Sequence, residues 1–490
     1  MNMIMKKNIF SYMLLLLLGL MAWSCSESDS DTNAKQMRLF RDGAEINELE
    51  FSLGAASKMV GVFSDADWDA SLDDESWCTI SNHAGFVDGD SIQYIKVSVE
   101  KNTGEQARTA ILTVKAGNTT RTLTIRQNGM GTDPGDTFPS SFATLEDFGL
   151  GYNLGNTLDS NPTSASGDGW WEQRWAAGGT PRTSDWETSW GQPITTPTII
   201  NAIAERGFKV IRVPVTWFPH MDEQGNIDAE WMARVKEVVD MVLNAGCYAI
   251  VNVMHDTGAA GTAWLIADMD VYPTASVRYK KLWTQIATAF RDYGDHLLFE
   301  SFNEILYVNN DNGWTPPAAG SPCYEAIRRY HQDFVDAVRA TGGNNEFRNL
   351  IINPYSASST QTVLNELVVP NDVHANHLMM SIHSYDPYNF CNDNGEWSIL
   401  YFNDECRQEI DDVFQRVIRR SSDLGIPAFF GEFGAIDGKK DPDERVKYAA
   451  YMAKKFKENE TSGLWWMGLM DRRKLEWTED NIVTSLFENY

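Results

Sequence analysis

The sequence predicts an α/β chain in two parts, a (β/α)8 TIM barrel preceded by a smaller all-β sandwich. Two observations carry the barrel. From about residue 138, short apolar runs alternate with amphipathic stretches of helical period. Eight such runs can be counted: Phe148–Leu154, Val210–Val215, Tyr248–Val253, Leu297–Phe302, Leu350–Asn353, Met379–Ile382, Ala428–Phe430 and Leu464–Met467. Eight strands separated by helices in about 350 residues are the count for a closed parallel barrel. A third observation carries the sandwich. From about 36 to 128, runs of period two such as Tyr94–Val99, Ala110–Val114 and Arg121–Ile125 are separated by Gly, Asn and Asp, the pattern of an antiparallel sandwich.

The elements follow in order. Residues 1–24 read as a targeting segment, with Lys6 and Lys7 ahead of the apolar stretch Ile9–Ala22 and then Ala22-Trp23-Ser24-Cys25. This resembles a bacterial lipoprotein signal, although Trp23 is bulky for the site, and implies a lipid on Cys25. The expected location is the outer membrane, exposed at the surface; secretion or a periplasmic location is the alternative. The sandwich spans 36–128. Residues 129–137, rich in Gly, Asp and Pro, form a linker. The barrel spans 138–490, its helices expected over Ala229–Ala245, Ser276–Tyr293, Tyr324–Thr341, Asp404–Leu424 and Arg445–Lys457. An open doubly wound sheet would also alternate strands and helices, but no Gly-rich phosphate loop follows the first strand.

Composition narrows the function. A formal charge of −27 would repel nucleic acid. No segment after the N-terminus is long and apolar enough to span a membrane. Seventeen Trp and seventeen Tyr tilt the reading towards sugar, whose rings have apolar faces that stack on aromatics, although cores use Trp too. Beyond Cys25 there are five cysteines at irregular spacing, no disulfide framework and no metal motif. Cys391 and Cys406 flank one loop, which leaves a pairing between them open.

The chemistry lies at the strand ends. Asn156, Arg212, His255, Asn303, Glu304, His383, Tyr385, Glu432 and Trp466 fall at or just after successive apolar runs, and in a barrel those points converge on one rim. Each alone has a bland reading as a solvated acid or a structural histidine. Together they place two carboxylates, Glu304 and Glu432, across one rim, which is the equipment for cutting a glycosidic bond.

This set resembles glycoside hydrolase family 5. The matching stretches are Ile211-Arg212-Val213-Pro214, Val253-Met254-His255-Asp256, Asn303-Glu304, His383-Ser384-Tyr385, Glu432-Phe433-Gly434 and Trp466. The opening Gly151–Asp159 and Trp190-Gly191-Gln192-Pro193 look most like subfamily 4, which acts largely on β-1,4-glucans including xyloglucan. In the N-terminal part, Trp77–Ser81, Arg108–Ala110 and Thr124–Asn128 resemble the BACON domain, a family often proposed to bind carbohydrate; a spacer role is the reading favoured here over a sugar platform at Trp68 and Trp77.

The resemblance implies roles. Glu304 would be the general acid/base and Glu432 the nucleophile of a retaining enzyme. Glu304 must then start protonated and Glu432 ionised, which asks for two different environments. Arg212 and Tyr385 would hold Glu432, Asn303 would bind the sugar 2-OH, and His255 and His383 would orient these groups. Trp466 rather than Trp465 would floor the −1 subsite. Met254 and Ile305 depart from the family pattern and are expected to alter the subsite or its edges. The connection after the first strand is about forty residues long, unusual unless functional, and carries Trp170, Trp171, Trp175, Trp186 and Trp190. Some of these, with Trp264, Trp314, Tyr388 and Trp397 in other rim loops, are candidates for lining an extended cleft.

The expectation is a retaining endo-β-1,4-glucanase acting on a plant cell-wall β-glucan, most of all xyloglucan. The alternatives are a mixed-linkage glucanase, cellulase, mannanase or xylanase with the same mechanism, or a non-catalytic surface glycan-binding protein. The mechanism needs no cofactor and no metal. A monomer tethered to the membrane at Cys25, with no nucleic-acid partner, completes the reading.

Overall fold

The computed structural model describes residues 36–490 except 42–43, 52–55, 87–91, 101, 103, 105, 128–137, 161–181, 260–262, 309 and 375–376. The leader, Cys25, the linker, and Trp170, Trp171 and Trp175 therefore lie outside the described residues.

The N-terminal part is the expected sandwich. Ten strands run β1 (Met37–Arg41), β2 (Ala44–Glu45), β3 (Glu48–Phe51), β4 (Ala56–Ser64), β5 (Trp68–Leu72), β6 (Cys78–Ile80), β7 (Ala84–Gly85), β8 (Gln93–Val99), β9 (Arg108–Ala116) and β10 (Thr119–Gln127). They form two five-stranded sheets, β2-β1-β4-β8-β6 and β3-β10-β9-β5-β7. Alternate residues of β8 and β9 point inward, so Ile95, Val97, Ala110, Leu112 and Val114 fill the space between the sheets. The sandwich is not wholly antiparallel, because β10 pairs in parallel with β3. Trp68 and Trp77 are about as buried as the rest of this core. Arg108 lies over the Trp77 ring and Asp74 takes its indole N–H at 3.0 Å. Neither ring is therefore a sugar platform.

The C-terminal part is a closed barrel of parallel strands: β11 (Gly151–Asn153), β12 (Val210–Val213), β13 (Tyr248–Val251), β14 (Leu297–Glu300), β15 (Leu350–Ile352), β16 (Leu378–Ser384), β17 (Ala428–Phe433) and β18 (Gly463–Trp466). Strands covered on both faces are apolar throughout rather than alternating, which is why the sequence showed them as continuous runs. Most of those runs outlast the strand by one or two residues because the chain stays buried as it turns onto the rim. The helices fall close to expectation, Ala229–Asn244, Tyr272–Ala289, Pro322–Arg339, Asp404–Leu424 and Pro442–Glu458. Local chemistry sets their ends: Asp228 takes the N–H groups of Glu230 and Trp231, and Gly425 ends its helix in the left-handed conformation.

Phe148 departs from expectation. It ends a helix, Ser141–Phe148, capped by Ser140, instead of starting the first strand. Its ring packs on Tyr248 and Phe429, near the starts of β13 and β17. Asn349 holds the same helix through Thr144 Oγ1 at 2.8 Å and the Pro139 carbonyl at 3.1 Å. The helix thus closes the N-terminal end of the barrel over an apolar layer that includes Val210, Leu298, Ile351 and Met379.

Cys391 and Cys406 are both buried free thiols, directed to the Asp386 and Tyr401 carbonyls, each five residues before its thiol, instead of to each other.

Candidate active site

Above the apolar layer the barrel interior turns polar. Asn153 on β11, Arg212 on β12, Asn252 after β13, Glu300 on β14 and Asn353 after β15 are all fully buried. Arg212 is their hub. Its Nε donates to Glu300 Oε2 at 2.7 Å, Nη1 to Asn153 Oδ1 at 3.0 Å and Glu432 Oε1 at 2.9 Å, and Nη2 to Asn303 Oδ1 at 2.8 Å. Asn252 and Asn353 each donate to Glu300 at 3.0 Å. Buried charge is tolerated because every member has partners.

A bulge delivers Glu432 to this network. β16 and β17 pair Ile382 with Phe430 and then His383 with Glu432, so Gly431 is one extra residue on β17. A side chain at Gly431 would run into Ser381 Oγ, and the Gly431 carbonyl takes the Asn153 amide at 2.9 Å. The extra residue puts the Glu432 carboxylate in step with His383, on the inner face of the barrel.

Both glutamates meet at His383. Its Nδ1 lies 2.8 Å from Glu304 Oε1 and 3.6 Å from Glu432 Oε1. One donor atom from each of the three residues lies within 4.8 Å of the others, so the carboxylates are close enough for the short separation of a retaining pair. The group is dense enough for a cation, but Arg212 already places fixed positive charge on Glu432. Tyr385 completes the site by donating its hydroxyl to Glu432 Oε2 at 2.8 Å.

The two environments differ in their exposure to water, while the net push on the Glu432 carboxyl is upward, against the ionised form a nucleophile needs. The Glu432 side chain is 6% exposed and that of Glu304 22%, so only the second reaches water readily. Burial pushes the Glu432 carboxyl above its usual range, the Glu304 charge adds to the push, and His383, Arg212 and Tyr385 work against it. Burial opposes charge on His383, yet Glu432 and Glu304 outweigh it and raise its pKa. Burial also disfavours charge on Glu300, but Arg212, His383 and the Asn353 amide overcome it and hold that carboxyl low.

The remaining predicted residues form the flank. Asn156 has a left-handed backbone, φ 59°, and its N–H donates to Asp159 Oδ2 at 3.0 Å. Asp159 lies 4.0 Å from His255 Nε2, and the His255 ring is tilted against Trp190 at 5.3 Å. Burial lowers the pKa of His255, with Asp159 pulling the other way. Trp465 belongs to the core, packed on Phe433 and Tyr448, whereas Trp466 is partly exposed and abuts Gly155. Of the two, Trp466 is thus the one with surface left to offer a ligand. Met254 and Ile305 are buried, so these two departures act from beneath the site and do not line its edges. Trp186 is buried against His220, and Trp264 donates to Asp256 at 2.6 Å, so both pin loops. Trp314, Tyr388 and Trp397 are exposed, as is Tyr401.

Glu300, Asn153, Asn252 and Asn353 escaped the sequence reading as parts of the site. Their signal was present: a carboxylate inside the apolar run Leu297–Phe302 needs a partner, and Arg212 inside Val210–Val213 is an internal cation.

A parallel barrel whose rim brings two carboxylates, Glu304 and Glu432, together around one histidine fits a glycoside hydrolase. The model for cellulase, glycosyl hydrolase family 5, matches residues 175–468, and the chain belongs to that family. The BACON model matches residues 66–128. The chain is 39% identical to PbGH5A from Prevotella bryantii, a family 5 enzyme solved as a mutant with a xyloglucan tetradecasaccharide; the likeness covers 72% of this chain and 99% of that one with a TM-score of 0.64. Endoglucanase A from Clostridium longisporum is 31% identical over 72% of this chain and 66% of its own length. The xyloglucan-specific endo-β-1,4-glucanase BoGH5A from Bacteroides ovatus is 31% identical over 75% of this chain and 69% of its own.

Proposed function

We propose that the protein is a retaining endo-β-1,4-glucanase that cuts internal bonds of a plant cell-wall β-glucan, with xyloglucan preferred. The observation that carries this is the pair itself: Glu432 buried and held by Arg212 and Tyr385, Glu304 beside it and open to water, and His383 between them. In the first step Glu432 attacks the anomeric carbon while Glu304 gives its proton to the leaving oxygen. In the second, Glu304 takes a proton from water, which attacks the same carbon and frees Glu432. Asn303 has its carbonyl oxygen held by Arg212, so its NH2 is free to donate to the sugar 2-OH. The substrate choice is supported by the bound oligosaccharide of the Prevotella enzyme and the specificity of the Bacteroides one. The exposed aromatics Trp314, Tyr388, Trp397 and Tyr401 suit a long chain better than a terminal sugar. The same proposal includes a lipid anchor at Cys25, an outer-membrane location and a monomeric state.

The test is release of reducing ends from xyloglucan, carboxymethylcellulose, mixed-linkage glucan, glucomannan and xylan, with Glu432→Gln in parallel. The expected result is fastest cleavage of xyloglucan to oligosaccharides, lost in the variant. Faster cleavage of another polymer overturns the substrate choice. Binding without cleavage overturns the enzyme reading in favour of a glycan-binding protein.

A further inference from the structure

Glu300 is a charged residue that bond cleavage does not call for. It ends β14 four residues before Glu304, is fully buried, and has no exposed surface for substrate. Its two oxygens nevertheless accept three side-chain hydrogen bonds, from Arg212 Nε, Asn252 and Asn353. A guanidinium is a rigid planar fork. With Nε fixed on Glu300, the other two nitrogens can only point where they do, at Glu432 Oε1 and Asn303 Oδ1.

We propose that Glu300 is a positioning residue, which through Arg212 sets both the aim and the charge environment of Glu432. This rests on the reading of Glu432 as nucleophile. The aim follows from the fork: without its anchor the guanidinium can swing, and Glu432 and Asn303 lose their common reference. The charge follows from sharing. Arg212 alone would turn its whole positive charge on Glu432 and weaken it as a nucleophile, whereas ionised Glu300 takes part of that charge. The groups facing Glu432 are Arg212 from β12, Glu304 after β14, His383 on β16 and Tyr385 beyond it. Glu300 bonds to Arg212 and also acts on His383 through space. Removing its negative charge favours the deprotonated form of each titrating neighbour, so both limbs of the pH profile should move the same way.

The test is Glu300→Gln, nearly equal in volume, assayed beside wild type for kcat and KM on a soluble β-glucan across pH, with a melting curve to establish folding. The expected result is a folded protein with kcat lower by about 100-fold, the scale of a catalytic group displaced by an ångström. KM should be little changed and both limbs of kcat/KM displaced to lower pH. A merely structural role would reduce active enzyme and leave the profile in place, and that result, or an undiminished kcat, overturns the proposal. Should the variant not fold, Asn353→Ala keeps the charge but frees the carboxylate: a fall in kcat without a pH displacement supports the positioning role, and wild-type kcat overturns it. Trapping wild type with an activated 2-deoxy-2-fluoro glucoside separates the two readings. A label on Glu432 leaves the proposal to stand or fall on the variants, and a label elsewhere overturns the nucleophile assignment and the proposal with it.

Discussion

Replacing Arg212 with Met should cost the barrel about 3–5 kcal/mol at neutral pH, the range for removing one partner of a buried ion pair. The structure places it at that end of the scale. Arg212 and Glu300 are wholly buried and Glu432 nearly so, so the loss strands two carboxylates where solvent screening is weak. Met fills much of the aliphatic volume, which leaves charge as the main change. The pH dependence gives the sharper test. In wild type the Glu300 carboxyl is held low, so its stabilisation is present above the unfolded-state value and lost as pH falls through the lowered folded one. In the variant burial is opposed only by His383 and the amide donors, the folded value rises, and acidification relieves the strain by protonation. The stability gap should therefore be widest near neutrality and narrow as pH falls from the raised value of the variant towards the lowered one of wild type. Urea unfolding of the barrel transition at several pH values measures this. A gap under about 1 kcal/mol, the worth of an exposed pair, or one independent of pH, would refute the buried-hub reasoning.

Tyr385→Phe removes a donor to the Glu432 carboxylate; a hydrogen bond to a charged group contributes about 1.5–3 kcal/mol, so kcat/KM should fall about 10- to 150-fold. Because that donor lowers the pKa of Glu432, the acidic limb should rise in pH, opposite to Glu300→Gln, and steady-state kinetics across pH read the sign. Gly431→Ala forces a methyl group against Ser381 and should destabilise by about 1–3 kcal/mol while displacing Glu432; a melting temperature and activity equal to wild type would show that the bulge tolerates a side chain.

The sequence carried the rim better than what lies under it. Glu304, Glu432, His383 and Tyr385 stand at or just after the ends of apolar runs, where a polar residue is conspicuous, and the structure gathers them with Arg212, no link in the group longer than 3.6 Å. Glu300 sits inside such a run and drew no reading of its own, because one-dimensional patterning does not show that Arg212, on a different strand, is its partner. Phe148 was assigned to a strand since apolar residues continue without a break from helix into β11; only the turn at Gly149 and Leu150 separates them. The strand ends were overrun for a related reason, as residues such as Val253 and Phe302 remain buried after the strand ladder stops. Tyr385 and Trp466 were legible from the family motif, and the packing of Trp465 on Phe433 and Tyr448 agrees with the preference for Trp466 over its neighbour.

The short helix Ser141–Phe148 has one more consequence. It brings the polypeptide into the barrel at the floor, while both glutamates stand at the opposite mouth. The chain upstream therefore joins the enzyme at its heel, the end away from its jaws. A polymer far larger than the protein can then reach the two glutamates without passing the point where the chain enters the barrel.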